Sequence, residues 1–142
     1  MLVQTDPGPA IVVCNTCRLS HERREDEHGR RGCVLFAEKL RAVVASHPCA
    51  GRISIEEMPC LFACNTYCTV HIRCAGKIGY VLGRFTPSYE DARALLDYVA
   101  LYAESPEGIV PYEKWPERVK NHFIVRTPPE GLVWHKDPIP QT

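Results

Sequence analysis

Five of the eight cysteines lie in two short segments, and this arrangement restricts the fold and chemistry of the 142-residue chain more than any other feature. A Cys-x2-Cys pair and a Cys-x3-Cys pair together supply four thiolates, the ligands that iron–sulfur clusters and structural zinc both prefer. The pattern therefore predicts a metal site and leaves iron and zinc open. The five residues are Cys14, Cys17, Cys60, Cys64 and Cys68.

The sequence shows no signal for export or membrane insertion. Its first nine residues lack the basic region and the apolar core of a signal peptide, and no apolar run approaches the roughly 18 residues of a membrane span. We therefore expect a cytoplasmic protein. In that reducing compartment, clustered thiols bind metal or perform redox chemistry more often than they form structural disulfides.

The charge balance disfavours nucleic acid and membrane surfaces as partners. Seventeen basic residues offset seventeen acidic ones, so no net field attracts a polyanion. The expected partners are a redox protein that the sequence does not identify and, through exposed sheet edges, a second copy of the chain.

Hydrophobic patterning predicts alternating strands and helices. Residues 10–13 are a β-branched apolar run typical of a buried strand, and Ser88 with Asp91 resembles a helix-start box. Gly76 lies in a tight hairpin turn. The predicted elements are a strand at 10–13, a helix at 33–46, a strand at 52–58, hairpin strands at 69–74 and 78–83, and a helix from 88 to about 103.

The C-terminal segment changes character because its recurring prolines exclude a long helix or a central strand. We expect residues 105–142 to wrap the domain as an extended arm anchored by Trp115 and Trp134, within which residues 123–126 can add a short strand. The residues from about Asp137 are expected to be mobile. The chain is thus predicted to be one domain, 1–142, with a core at about 10–104.

A reduced thioredoxin-like α/β topology fits this order, with a mixed sheet of about four strands and two main helices. In it, the first hairpin strand lies antiparallel beside the first strand. An antiparallel neighbour begins where the first strand ends, so the loop before Thr69 should lie beside the loop after Val13. The two cysteine segments are therefore predicted to meet.

Two resemblances support this topology. The Cys60-Leu61-x-x-Cys64 segment, the hairpin around Gly76 and the following helix resemble the C-terminal half of thioredoxin-like 2Fe–2S ferredoxins. Those ferredoxins space their first two ligands more widely and have a proline where Cys68 stands.

From about residue 10 to 130, the chain also resembles an uncharacterised bacterial family of predicted metal-binding proteins. This second resemblance rests on the Cys-x2-Cys pair and on the segments Gly108-Ile109-Val110-Pro111 and Arg126-Thr127-Pro128-Pro129. It implies a ligand set with one alternative position. The set is Cys14, Cys17, Cys60 and Cys64, with Cys68 as the alternative ligand.

The leading hypothesis is a 2Fe–2S protein in which each cysteine pair holds one iron. Such a centre carries one electron, and because no acid, base or nucleophile set accompanies the thiols, an electron carrier or redox sensor is favoured over an enzyme. The alternative is one zinc ion held by the same four thiolates, in metal trafficking or as a structural site. A thiol–disulfide oxidoreductase is a third hypothesis. It is disfavoured because the charged stretch from Arg18 to Gly32 separates Cys17 from the helix that would activate it.

The three remaining cysteines lie outside the two segments. We interpret Cys33 and Cys49, which flank the first predicted helix, as compact packing residues. Cys74 lies beside the hairpin turn and is interpreted as incidental.

Overall fold

The computed structural model describes residues 1–137 and contains a five-stranded sheet with two helices. Residues 138–142, which include most of the segment expected to be mobile, lie outside the described part of the chain. The strands are β1 Ala10–Cys14, β2 Ser54–Met58, β3 Val70–Arg73, β4 Gly79–Leu82 and β5 Phe123–Thr127, and the helices are α1 Gly32–Val44 and α2 Tyr89–Glu104.

The sheet is mixed and has the strand order β2-β1-β3-β4-β5. β1 pairs in parallel with β2 and antiparallel with β3, and the remaining pairs are antiparallel. This confirms the predicted topology. The fifth strand is the short one expected at residues 123–126; it extends to Thr127, and Val125 pairs with Val81, so the sheet has one strand more than the four expected for the core. The prolines at 128 and 129 follow this strand and do not interrupt it.

The core forms between the sheet and the two helices. Alternate residues of the central strands, such as Ile11 and Ile72, are fully buried and pack with Phe36 of α1 and Leu95 of α2. α2 begins as predicted, because the Ser88 side chain accepts a hydrogen bond from the N–H of Asp91 at 3.2 Å. Neither helix within residues 1–137 has the length and apolar character needed to cross a membrane.

The C-terminal segment is anchored by an aromatic contact. Trp115 donates its ring N–H to the carbonyl of Val110 at 2.8 Å and stacks on Phe123 with a centroid distance of 4.4 Å. Trp134, the second expected anchor, stays 46% exposed and contacts the guanidinium of Arg126. Trp115 therefore anchors the segment to the core, whereas Trp134 lies over β5.

Candidate metal centre

The two cysteine segments lie side by side at the end of the sheet where β1 ends and β3 begins. Cys14 is the last residue of β1, and its N–H donates to the carbonyl of Thr69, just before β3, at 3.0 Å. In the loop after β1, the hydroxyl of Thr16 accepts a hydrogen bond from Cys60 N–H at 3.1 Å. The fold thus brings the Cys14 loop into contact with the Cys60 loop.

Cys14 and Cys17 form an inner pair and are almost fully buried, with exposed fractions of 2% and 4%. A hydrogen bond between their thiols raises the pKa of Cys14, and burial raises it further. The same bond, with a second one from Cys33, lowers the pKa of Cys17 to about 3. The lowered pKa of Cys17 favours its thiolate, which is the form that binds metal.

Cys60 and Cys64 form an outer pair that reaches the surface. Cys60 is half-buried and Cys64 is exposed, and the negative charge of Cys60 raises the pKa of Cys64. The backbone of Cys60 and Phe62 is left-handed, with φ angles of 62° and 58°, and Phe62 N–H points at the Cys60 sulfur at 3.4 Å. A left-handed backbone conformation is strained at residues other than glycine, so it persists only where surrounding contacts stabilise it. Such residues are found most often at functional sites.

Hydrogen-bond donors from both loops are directed at the inner sulfurs. The backbone of Leu61 lowers the pKa of Cys14 and that of Thr69 lowers the pKa of Cys17, as N–H groups near a sulfur do. The Thr16 hydroxyl also lies 3.6 Å from the Cys14 sulfur. Donors of this kind offset the negative charge of metal-bound thiolates.

Cys68 and Cys33 lie on the inner side of this site. Cys68, predicted as an alternative ligand, is only 1% exposed, and its thiol interacts with the thiol of Cys33. Cys33 is fully buried, as expected of a packing residue, but it also contacts Cys17, which the sequence did not indicate. Cys49 is buried near the end of α1, and half-buried Cys74 follows β3 at the opposite end of the sheet.

The four predicted ligands, Cys14, Cys17, Cys60 and Cys64, are grouped in two pairs. Among residues 1–137, no three His, Cys, Asp or Glu side chains surround a point that could hold a metal ion. A tetrahedral zinc needs four sulfurs about 2.3 Å from a single centre. A 2Fe–2S cluster needs two thiolates on each of two irons, so it requires pairs rather than one convergent set. The four residues therefore have the chemistry and the proximity to hold a metal or iron–sulfur centre.

Comparisons with known proteins identify the family of the chain and a solved structure with a similar fold. The model of a family described as a protein of unknown function, DUF1636, matches residues 11–129. Among solved structures, the chain is similar to a thioredoxin-like [2Fe-2S] ferredoxin from Aquifex aeolicus, with a TM-score of 0.52 and 18% identity. The match covers 87% of this chain and 96% of the ferredoxin chain, and at this identity it establishes the thioredoxin-like fold alone. No curated protein matches the sequence.

Proposed function

The chain belongs to DUF1636, a family of unknown function, and we propose that it binds a 2Fe–2S cluster and carries single electrons. Cys14 and Cys17 hold the inner iron, and Cys60 and Cys64 hold the outer iron. The cluster supplies the one-electron redox chemistry. A redox protein that docks at the outer pair exchanges the electron.

One observation carries this proposal: the four cysteines form two contacting pairs on two adjoining loops. In each pair one cysteine raises the pKa of the other, Cys17 that of Cys14 and Cys60 that of Cys64, which indicates that the two thiols of a pair are close. The charge of Cys17 also raises the pKa of Cys64, which indicates that the two pairs lie near each other. The fold supports the proposal, since the similar solved structure is named as a [2Fe-2S] ferredoxin.

The surroundings of the pairs suit an electron carrier. The burial of Cys14 and Cys17 would keep water from a metal held by this pair and so slow hydrolytic loss of a cluster. The N–H groups of Leu61 and Thr69 offset the negative charge of the thiolates. Cys64 is exposed, so a cluster that it held would lie near the protein surface, where an electron must enter and leave.

The same surroundings argue against a thiol–disulfide oxidoreductase. An attacking thiol must be both deprotonated and reachable by its substrate. Cys17 has a low pKa but is only 4% exposed, whereas Cys64 is exposed but has a raised pKa. The two requirements are therefore met by different cysteines.

Serine replacement of single cysteines tests the proposed ligand set. After anaerobic purification, each of the four ligand variants should lose most of its iron, acid-labile sulfide and visible charge-transfer absorption. Cys49→Ser and Cys74→Ser are matched controls that should retain all three, and we expect Cys68→Ser to retain them too. Full iron content in Cys14→Ser or Cys60→Ser would disprove the assignment.

A further inference from the structure

Within residues 1–137, three residues other than glycine have a left-handed backbone, and all three adjoin the outer cysteine pair. Cys60 and Phe62 lie in the loop itself, and the third is Arg84, with a φ angle of 63°. Arg84 N–H donates to the carbonyl of Thr66 at 2.7 Å, which holds it against the same loop. Because this conformation costs free energy, its concentration here indicates a function for the residues that adopt it.

Phe62 places an aromatic ring in solvent next to the predicted ligands. The residue is 95% exposed, so its ring adds almost nothing to the buried core, while its strained backbone lowers the stability of the fold. It lies between Cys60 and Cys64 in the chain, and its N–H is 3.4 Å from the Cys60 sulfur. A large apolar side chain that folding does not need is typical of a surface that contacts another protein.

Arg84 supplies a positive charge beside this loop. Residues 59–69 contain no charged side chain, so the neighbouring loops determine the charge of the surface. The guanidinium of Arg84 donates to the carbonyl of Asn121, but it forms no ion pair with a carboxylate of residues 1–137. Its charge is therefore not neutralised within the part of the chain that the structure describes.

Arg18 supplies a second positive charge. Its side chain donates to the carbonyl of His21 at 3.4 Å, and the His21 ring packs edge-on against Tyr67 of the loop with a centroid distance of 5.6 Å. Arg18 is also outside the ion pairs of the described residues. The stretch 18–31 contains five arginines and four acidic residues, so its own net charge is positive as well.

We infer that Phe62, Arg84 and Arg18 form the docking surface for the redox partner, and that this partner is an acidic protein. The inference rests on the proposed function, in which a redox protein docks at the outer pair. Phe62 supplies the apolar contact, and the two arginines attract carboxylates of the partner, as aromatic residues and arginine do at protein interfaces. One electron then passes from the reduced cluster to the oxidised partner, and no covalent bond forms or breaks.

Stopped-flow kinetics of the reduced, cluster-loaded chain test the docking surface with two haem proteins of opposite charge. The probes are ferric cytochrome b5, which is acidic, and ferric cytochrome c, which is basic, and each haem accepts one electron. We expect the second-order rate constant to fall with rising salt for cytochrome b5 and to rise for cytochrome c. Because the net charge of the chain is zero, this difference reports the local charge of the surface.

Single substitutions separate the two parts of the surface. Arg84→Gln should weaken the salt dependence with cytochrome b5, whereas Arg84→Lys should keep it. Arg52→Gln is the matched control, because Arg52 is exposed and precedes β2 at the opposite end of the sheet. Phe62→Ala should lower the rate constant severalfold at low and high salt alike, since salt does not screen an apolar contact. Leu132→Ala, at a residue 57% exposed, should not change it.

Iron content and reduction potential are measured first in each variant, so that a change in rate reports docking. Unaltered rates in cluster-loaded Phe62→Ala and Arg84→Gln overturn the inference, and so does a rate with cytochrome b5 that rises with salt in the unaltered chain. This last result decides the charge even if Arg84→Gln does not fold. A chain without a cluster has no electron to transfer and disproves the proposed function together with this inference, and iron analysis distinguishes that failure from a failure of docking alone.

Discussion

The hydroxyl of Thr16 accepts a hydrogen bond from Cys60 N–H at 3.1 Å, although the two residues are 44 positions apart in the chain. The bond joins the loop after β1 to the loop before β3. The candidate metal centre is therefore an interface between two loops, and its integrity depends on the few polar contacts that cross it.

Thr16→Ala should weaken this interface and leave the fold in place. It removes the exposed hydrogen bond from Cys60 N–H and the contact of the hydroxyl with the Cys14 sulfur, which together contribute on the order of 1 kcal/mol. We expect iron to be lost to a chelator severalfold faster than from the unaltered chain, as followed by visible absorbance. Thr16→Ser keeps the hydroxyl and should behave like the unaltered chain, whereas equal rates for all three proteins would show that the bond has no role.

Gly32→Ala should destabilise the whole domain. The new Cβ would overlap the backbone at Arg18, so α1 must shift, at a cost of about 3 kcal/mol. Gly51→Ala is the control, because Gly51 has a φ of +82° but nothing within 4 Å of its Cβ position. Gly51→Ala should lower the free energy of unfolding by only about 1 kcal/mol, because alanine is strained in the left-handed backbone. Urea unfolding measures both values, and an equal loss in the two variants would contradict the packing argument.

Phe62→Gly should stabilise the fold, although it removes an aromatic side chain. Phe62 is 95% exposed and so contributes little burial, while its φ of 58° strains a residue with a Cβ. Relief of that strain stabilises the folded state, whereas the greater conformational freedom of glycine stabilises the unfolded chain. The difference predicts an increase of about 0.5 kcal/mol in the free energy of unfolding. Phe62→Ala keeps the Cβ and should show no gain in the same unfolding measurement. A loss of stability in the glycine variant would mean that the side chain contributes to folding.

Asp91 should make stability depend on acid pH. Burial raises its pKa, but hydrogen bonds from Thr86 and the guanidinium of Arg118 outweigh burial, so the pKa lies below its ordinary value of 3.8. A carboxyl with a lowered folded-state pKa stabilises the fold above its unfolded pKa, and this contribution is lost as pH falls through the folded value. Asp91→Asn should therefore cost about 2 kcal/mol near neutral pH. The cost should shrink toward zero well below pH 3.8.

Urea unfolding of the unaltered chain and of Asp91→Asn, at neutral pH and at about pH 3, measures how the cost of the substitution changes with pH. Glu90→Gln is a suitable control, because Glu90 neighbours Asp91 but is exposed. An Asp91→Asn cost that stays the same at both pH values would contradict the lowered pKa.

Local signals in the sequence predicted much of the fold. The Ser88 cap fixed the start of α2, and Gly76, whose φ is +77°, marked the hairpin turn. Each signal acts within a few residues, so it can be recognised without knowledge of the tertiary structure. The contact between the Cys14 and Cys60 loops followed from topology, because an antiparallel neighbour of β1 must begin where β1 ends.

The features that the sequence did not indicate depend on tertiary contacts. Cys33 was correctly expected to be buried, but its position beside Cys17 results from the close approach of Gly32 to Arg18, which no spacing reveals. The available sequence signal for this close approach was Gly32, the glycine at the end of the charged stretch. The left-handed backbone at Cys60 also has no local signature, since that conformation is uncommon outside glycine and is imposed by the surrounding loop.

Quantification of iron, acid-labile sulfide and zinc in anaerobically purified protein tests the central claim most directly. The paired thiols predict two irons and two sulfides per chain, with visible charge-transfer bands that bleach when one electron is added. One zinc per chain, with no iron and no sulfide, would contradict the two-iron centre and show that the four thiols close around a single ion.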